Sequence, residues 1–336
     1  MFFIPALNRL LPGIALCGAV AVVALLIEQA ERHVLGTGMI EGLVLAILIG
    51  VLVRSVFGLA PLFCAGVHFS AKIMLEIAIV LLGASMSAAA MAAAGPGLVA
   101  GIAAAVVISL GVAFLIGRMM GLSRRLATLI ACGTSICGNS AIAATAPVID
   151  ADHDDVAAAI AFTAVLGVLF VFLLPLLPAV LGLDATRYGI FAGLTVYAVP
   201  QVLAATAPMG PLAVQVGTLV KLIRVLMLGP VILGLAIVGG RRAGVKLPLA
   251  HLVPWFIVGF IAMMALRSLG VIPPVMLGVM QATSPILTVM AMAALGLMVD
   301  LRAILHVGGR VMMAALMSLV VLSGLALGLI ALLTVV

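Results

Sequence analysis

Apolar runs of about 20 residues recur along this chain, separated by short stretches that hold most of its charge. Each such run is long enough to cross a bilayer core of roughly 30 Å. Hydropathy and helix breakers predict eleven segments, near 12–28, 39–57, 70–94, 96–117, 126–149, 156–181, 188–207, 212–239, 252–269, 275–298 and 310–335. No stretch alternates apolar and polar positions over ten residues, which argues against a β-barrel. The polar interruptions reach about ten residues, too few for a soluble domain.

Two segments break their own pattern. Segment five contains CGTSICGNSAIAATAP (132–147), with Gly133, Thr134, Ser135, Gly138, Asn139 and Ser140 near its centre. Glycine and small polar residues disfavour a continuous helix. Backbone freed at that depth must be buried in protein or line a wet cavity. Segment ten contains QATSPILTVMAMAALG (281–296); Ser284 suits an N-cap and Pro285 a first helical residue, so a half-helix is expected to start there. With segment one (1–38) set aside, 39–181 and 188–336 form two sets of five, each with its break in the fourth helix. The expected fold is an all-α polytopic membrane protein of eleven transmembrane helices in one domain, 1–336. Its inverted five-helix repeats carry two crossed broken helices, an architecture common among secondary transporters. AATAP occurs at 143–147 and 204–208, positions this scheme does not make equivalent, and alanine richness accounts for it.

Composition sharpens this. The chain is 66% hydrophobic and 8% charged, against about 25% charged in soluble domains. With the N-terminus inside, the inner ends carry twelve Lys and Arg (Arg9, Arg54, Lys72, Arg118, Arg124, Arg125, Arg187, Arg241, Arg242, Lys246, Arg302, Arg310) and the outer ends two (Arg32, Arg267). That asymmetry gives a cytoplasmic N-terminus and an external C-terminus. The net charge of +6 is then that of cytoplasmic loops, not of a nucleic-acid surface. The acidic stretch DADHDD (150–155) falls outside on this scheme and reads as a solvated loop. Cys17, Cys64, Cys132 and Cys137 form no CxxC, so neither a disulfide framework nor a metal site is suggested. No cofactor is implied.

Lys221 and Arg224 remain, both inside segment eight. They stand three apart on one helix face, with no acid within a turn. Each costs at least about 2.5 kcal/mol at the bilayer centre, which points to a functional cationic pair. Tyr197 and Gln201, four apart beside Pro200, suit either substrate contact or interhelical hydrogen bonding. Glu76 suits a surface pair with Lys72, with coupling to Arg224 as the alternative.

The motifs SICGNSAIAATAPVI, LTVYAVPQVLAA, KLIRVLMLGP, VPWF and MAMAALGL follow one another in an order and spacing that resembles the YeiH-like family of proposed sulfate exporters, over nearly the whole chain. The resemblance implies kinship with the cation/proton antiporter and anion transporter superfamily, and its inverted repeat of crossed broken helices. Many family members carry a His-Glu pair where this chain has Tyr197-Ala198, so any proton coupling by that pair does not carry over. The expected function is secondary transport, as export, of a small anion: sulfate, sulfite, an organosulfonate or a small carboxylate. The substrate residues are Ser135, Cys137, Gly138, Asn139, Ser140, Tyr197, Gln201, Lys221, Arg224, Thr283 and Ser284. A cation or proton antiporter is the alternative, but segments five and ten offer no carboxylate. An intramembrane enzyme stands further off, because the histidines lie at segment ends or in loops. The expected partners are the bilayer and the anion, with a homodimer left open.

Overall fold

The computed structural model describes residues 4–35, 42–85, 95–238, 254–299 and 309–335. Among them every regular element is helical. Seven helices are long and apolar enough to cross a membrane, and two shorter ones, Gly42–Phe57 and Trp255–Ser268, are also apolar. Arg241, Arg242, Lys246 and Arg302, and the end of segment three, lie outside the described residues.

The chain divides into two compact units, each drawing on both halves of the sequence. The first comprises Met1–Met91 and Trp255–Arg302. It holds α1 (Ile4–Leu35), α2 (Gly42–Phe57), α3 (Pro61–Phe69) running through a π turn at Ser70–Met74 into α4 (Leu75–Gly83), then α14 (Trp255–Ser268) and α15 (Pro274–Met298). Small residues let these helices meet backbone to backbone, the usual device where lipid removes any hydrophobic drive between helices. A Cβ on Gly66 would stand 2.1 Å from Leu10 O, and one on Gly296 2.3 Å from Ile47 O. The Glu76 carboxylate accepts from the exposed Trp255 Nε1 at 2.7 Å.

The break expected at 282–286 is absent. α15 is one continuous helix with Pro285 inside it. Proline removes one N–H from the ladder, but neighbouring helices and hydroxyls can absorb that loss in a membrane helix. Here Ser284 Oγ donates to Ala78 O at 2.8 Å, and Thr283 Oγ1 and Thr288 Oγ1 bond back to Val279 O and Ser284 O.

The second unit comprises Ala92–Pro254 and Ala303–Val336. In order it holds α5 (Gly95–Met119), α6 (Arg124–Cys132), a π turn (Gly133–Cys137), α7 (Asn139–Thr145), α8 (His153–Leu173), α9 (Leu177–Leu181), α10 (Ala185–Thr195), α11 (Val199–Thr206), α12 (Pro211–Leu226), α13 (Leu228–Val238) and α16 (Gly309–Val335).

Segment five is interrupted as expected, and it folds back on itself. Ser123 Oγ donates to Asp155 Oδ2 at 3.0 Å, and Arg125 meets Asp152 at 3.1 Å and Asp150 at 3.6 Å. A straight helix would separate residues 27 apart by roughly 40 Å. The two ends of the segment therefore lie side by side, and α6 and α7 form a helical hairpin with its turn at Gly138. Segment seven does the same. Tyr188 Oη, near the start of α10, donates to Ala205 O, near the end of α11, at 2.7 Å, where a straight helix would set them about 25 Å apart. Its turn spans Val196 to Ala198, both extended. Pro200 provides the reason: with no N–H and a ring that clashes with the carbonyl four residues back, it is tolerated only in the first turn of a helix, so a new helix starts just before it.

The apolar stretch His153–Leu181 joins the hairpins. Its 29 residues span about 43 Å as helix, so the mouths of the hairpins open at opposite ends of the unit. The hairpins are also a repeat at a constant offset of 61 residues. Ser123 and Asp184 are their N-caps, accepting from Leu126 N and Arg187 N. Ala131 matches Ala192, Thr134 matches Thr195, and AATAP at 143–147 matches AATAP at 204–208. The pentapeptides occupy equivalent positions after all, each ending its hairpin.

Candidate functional site

The hairpin turns meet. Gly138 sits at φ 63°, ψ −126°, a region in which any side chain is strained. A Cβ there would be 3.3 Å from Tyr197 Cβ in the opposing turn. Glycine is thus required twice, for the backbone angle and for the approach. Tyr197 is buried, packs edge-on against Phe162 with ring centroids 6.1 Å apart, and has Thr134 beside its hydroxyl. The first hairpin is wedged among Ala159, Phe162 and Leu166 of α8 and Ala314, Ala315 and Leu319 of α16.

α12 runs beside both turns and delivers the two cations. Lys221 and Arg224 are both fully buried. Lys221 Nζ donates to Ile136 O at 2.7 Å and to Val196 O at 2.8 Å. Arg224 donates to Thr134 O (2.9 Å) and Ser135 O (3.2 Å) in one turn, and to Gly193 O (2.9 Å) and Val196 O (3.3 Å) in the other. The acceptors of these six bonds are five backbone carbonyls at the C-terminal ends of the first arms. Such carbonyls have no helical partner, and each helix end carries about half a negative charge. The cationic pair therefore caps two helix ends and clamps the hairpins together.

Each turn holds one helix C-terminus and one helix N-terminus, whose partial charges cancel, so the two cations are left uncompensated by dipoles. Between residues 95 and 238 the acids are Asp150, Asp152, Asp154, Asp155 and Asp184, all at hairpin mouths. The meeting point of the turns is positive.

The two second arms differ in what they present. In the second hairpin Gln201 folds back, its Oε1 accepting from Ala198 N at 3.1 Å, and packs on Gly167. In the first, Gly138 offers no side-chain cap, and Asn139 and Ser140 are exposed although residues 129–138 are buried throughout. Ser135 Oγ is buried without a hydrogen-bond partner. Cys137 is buried beside the two cations.

Nine of the eleven expected site residues thus gather around two turns in one unit: Ser135, Cys137, Gly138, Asn139, Ser140, Tyr197, Gln201, Lys221 and Arg224. Thr283 and Ser284 belong to the other unit, with their hydroxyls already bonded there. Residues that sequence reasoning missed are Thr134 and Thr163. Thr134 stands in the polar stretch itself. Thr163 lies in an ordinary apolar helix, where nothing in the sequence marks it.

A family described as conserved hypothetical protein 698 matches residues 12–315. UPF0324 membrane protein Atu0671 of Agrobacterium fabrum is 58% identical, over 96% of this chain and 93% of that protein. UPF0324 membrane protein BMEI1914 of Brucella melitensis is 56% identical, over 96% and 91%. A UPF0324 membrane protein of Bacillus cereus is 37% identical, over 93% and 88%. No solved structure matches. With that coverage and identity, the chain belongs to the UPF0324 (YeiH) family of bacterial membrane proteins.

Proposed function

We propose that this protein is a secondary transporter of a small anion, bound where the two hairpin turns meet. One observation carries the reading: two fully buried cations, without an acid in the surrounding membrane elements, sit where two interrupted helices converge. Asn139 and Ser140 are the exposed polar contacts, Ser135 stands behind them, and Gly138 lets the backbone approach the ligand without a Cβ. Lys221 and Arg224 act through the field they set up and through the turns they hold. The lack of a carboxylate at that depth disfavours a cation or proton antiporter.

The topology that fits is nine spans and two re-entrant hairpins, in place of eleven spans. The N-terminus is cytoplasmic and the C-terminus external. The two errors of crossing cancel after the second hairpin, so only Arg187 changes side, and the basic count becomes eleven inside to three outside. The acidic loop 150–155 moves inside, beside Arg125. An interior negative by about 100 mV favours loss of each anionic charge by about 2.3 kcal/mol, which supports export.

Purified protein screened by thermal shift against sulfate, sulfite, ethanesulfonate and formate tests this. A ligand at about 100 times its Kd adds about 2.7 kcal/mol. Selective stabilisation by one class, followed by its flux in proteoliposomes, is expected. If no anion stabilises the protein or moves across the membrane, the reading fails.

A further inference from the structure

Thr163 lies on α8, opposite the first hairpin turn, and is 3% exposed. Its Oγ1 is in hydrogen-bond contact with Asn139 Oδ1 and lies 2.8 Å from Ile160 O. A threonine hydroxyl has one proton, so these two acceptors compete for it. The outcome decides what Asn139 shows to a ligand.

If the proton goes to Asn139 Oδ1, the amide is held with its NH2 outward, and the site gains two donors. If the proton goes to Ile160 O, the hydroxyl can only accept from Asn139. The amide must then turn its NH2 inward and its carbonyl oxygen outward, and the site gains an acceptor that repels anions. Ile160 O lies inside a helix and already receives a ladder N–H, so it does not need the hydroxyl. We propose that Thr163 is the positioning residue that gives the site its sign: it holds the Asn139 amide donor-outward and thereby selects anions. The inference rests on the transport reading above and goes beyond it by assigning ligand polarity to one side-chain pair.

The experiment titrates full-length protein with sulfate, ethanesulfonate and formate, whose charges are constant between about pH 5.5 and 8. Thr163→Val keeps the shape and removes the hydroxyl, and is expected to weaken binding by about 3- to 10-fold. Thr163→Ser restores it to within about twofold, a rescue that packing alone would not give. Asn139→Asp replaces the outward donor with an acceptor that stays ionised throughout about pH 5.5–8, so binding is lost across that range. Thermal unfolding of each variant checks that it is folded. Unchanged affinity in Thr163→Val, failure of Thr163→Ser to rescue, or binding retained by Asn139→Asp would each overturn the proposal while leaving the transport reading intact. If wild-type protein binds none of the three anions, the transport reading falls, and this inference falls with it.

Discussion

Arg224→Gln is the most searching perturbation of the hairpin clamp. The guanidinium reaches Thr134 O and Ser135 O in one turn and Gly193 O and Val196 O in the other. The substitution removes a full charge and most of those donors at once. Val196 O keeps Lys221 as a partner; the other three carbonyls lose the guanidinium. Breaking a buried charged cluster from one side costs about 3–5 kcal/mol, in line with about 1–3 kcal/mol for each polar group left unpaired. That corresponds to a fall in Tm on the order of 10 °C. Insertion is not impaired, because a charge at the bilayer centre opposes it. The assay combines thermal unfolding with maleimide labelling of Cys137, in a background where Cys17, Cys64 and Cys132 are replaced by serine. Cys137 is buried at the first turn, so it labels slowly in wild type and faster once the clamp is gone. Unchanged Tm and unchanged labelling would refute the claim that Arg224 holds the turns together.

Three more outcomes follow from the same geometry. Cysteines placed at Gly121 and Ala151 should react with an impermeant reagent from the same side of a sealed vesicle, since segment five returns to the side it left; labelling from opposite sides would restore a full crossing. Gly138→Val should lower stability by about 1–3 kcal/mol through its positive-φ backbone angle alone and abolish flux, while Gly111→Val, with nothing near its Cβ, should leave both nearly unchanged. Tyr188→Phe should cost about 0.5–1.5 kcal/mol in thermal unfolding, because it deletes the bond to Ala205 across the mouth of the second hairpin.

Much of this was legible in the sequence, and the failures have physical causes. The apolar helices follow from run length, because a bilayer leaves few other options. The hairpins do not, because a re-entrant segment has the length and hydropathy of a span. What distinguishes it is where its two ends lie, and that is recorded only in distant pairs such as Arg125–Asp152 and Tyr188–Ala205. The Ser-Pro signal at Ser284 and Pro285 matches a half-helix start, but Ser284 Oγ bonds to Ala78 O and that helix stays whole. Pro200 carried the break instead. A comparison of segment five with segment seven would have found it, since AATAP recurs at the same offset as the N-caps. Lys221 and Arg224 were recognisable as buried charges from residue type alone. That their partners are backbone carbonyls was not, because acceptors of that kind have no residue signature.

Whether a small anion binds at the turn of the first hairpin is visible to cryo-electron microscopy of the protein with selenate, an electron-dense analogue of sulfate. Density is expected within hydrogen-bond reach of Asn139 and Ser140, between the two hairpin turns. Density more than one helix diameter away (about 10 Å) from both turns, with the turns themselves empty, would contradict binding there.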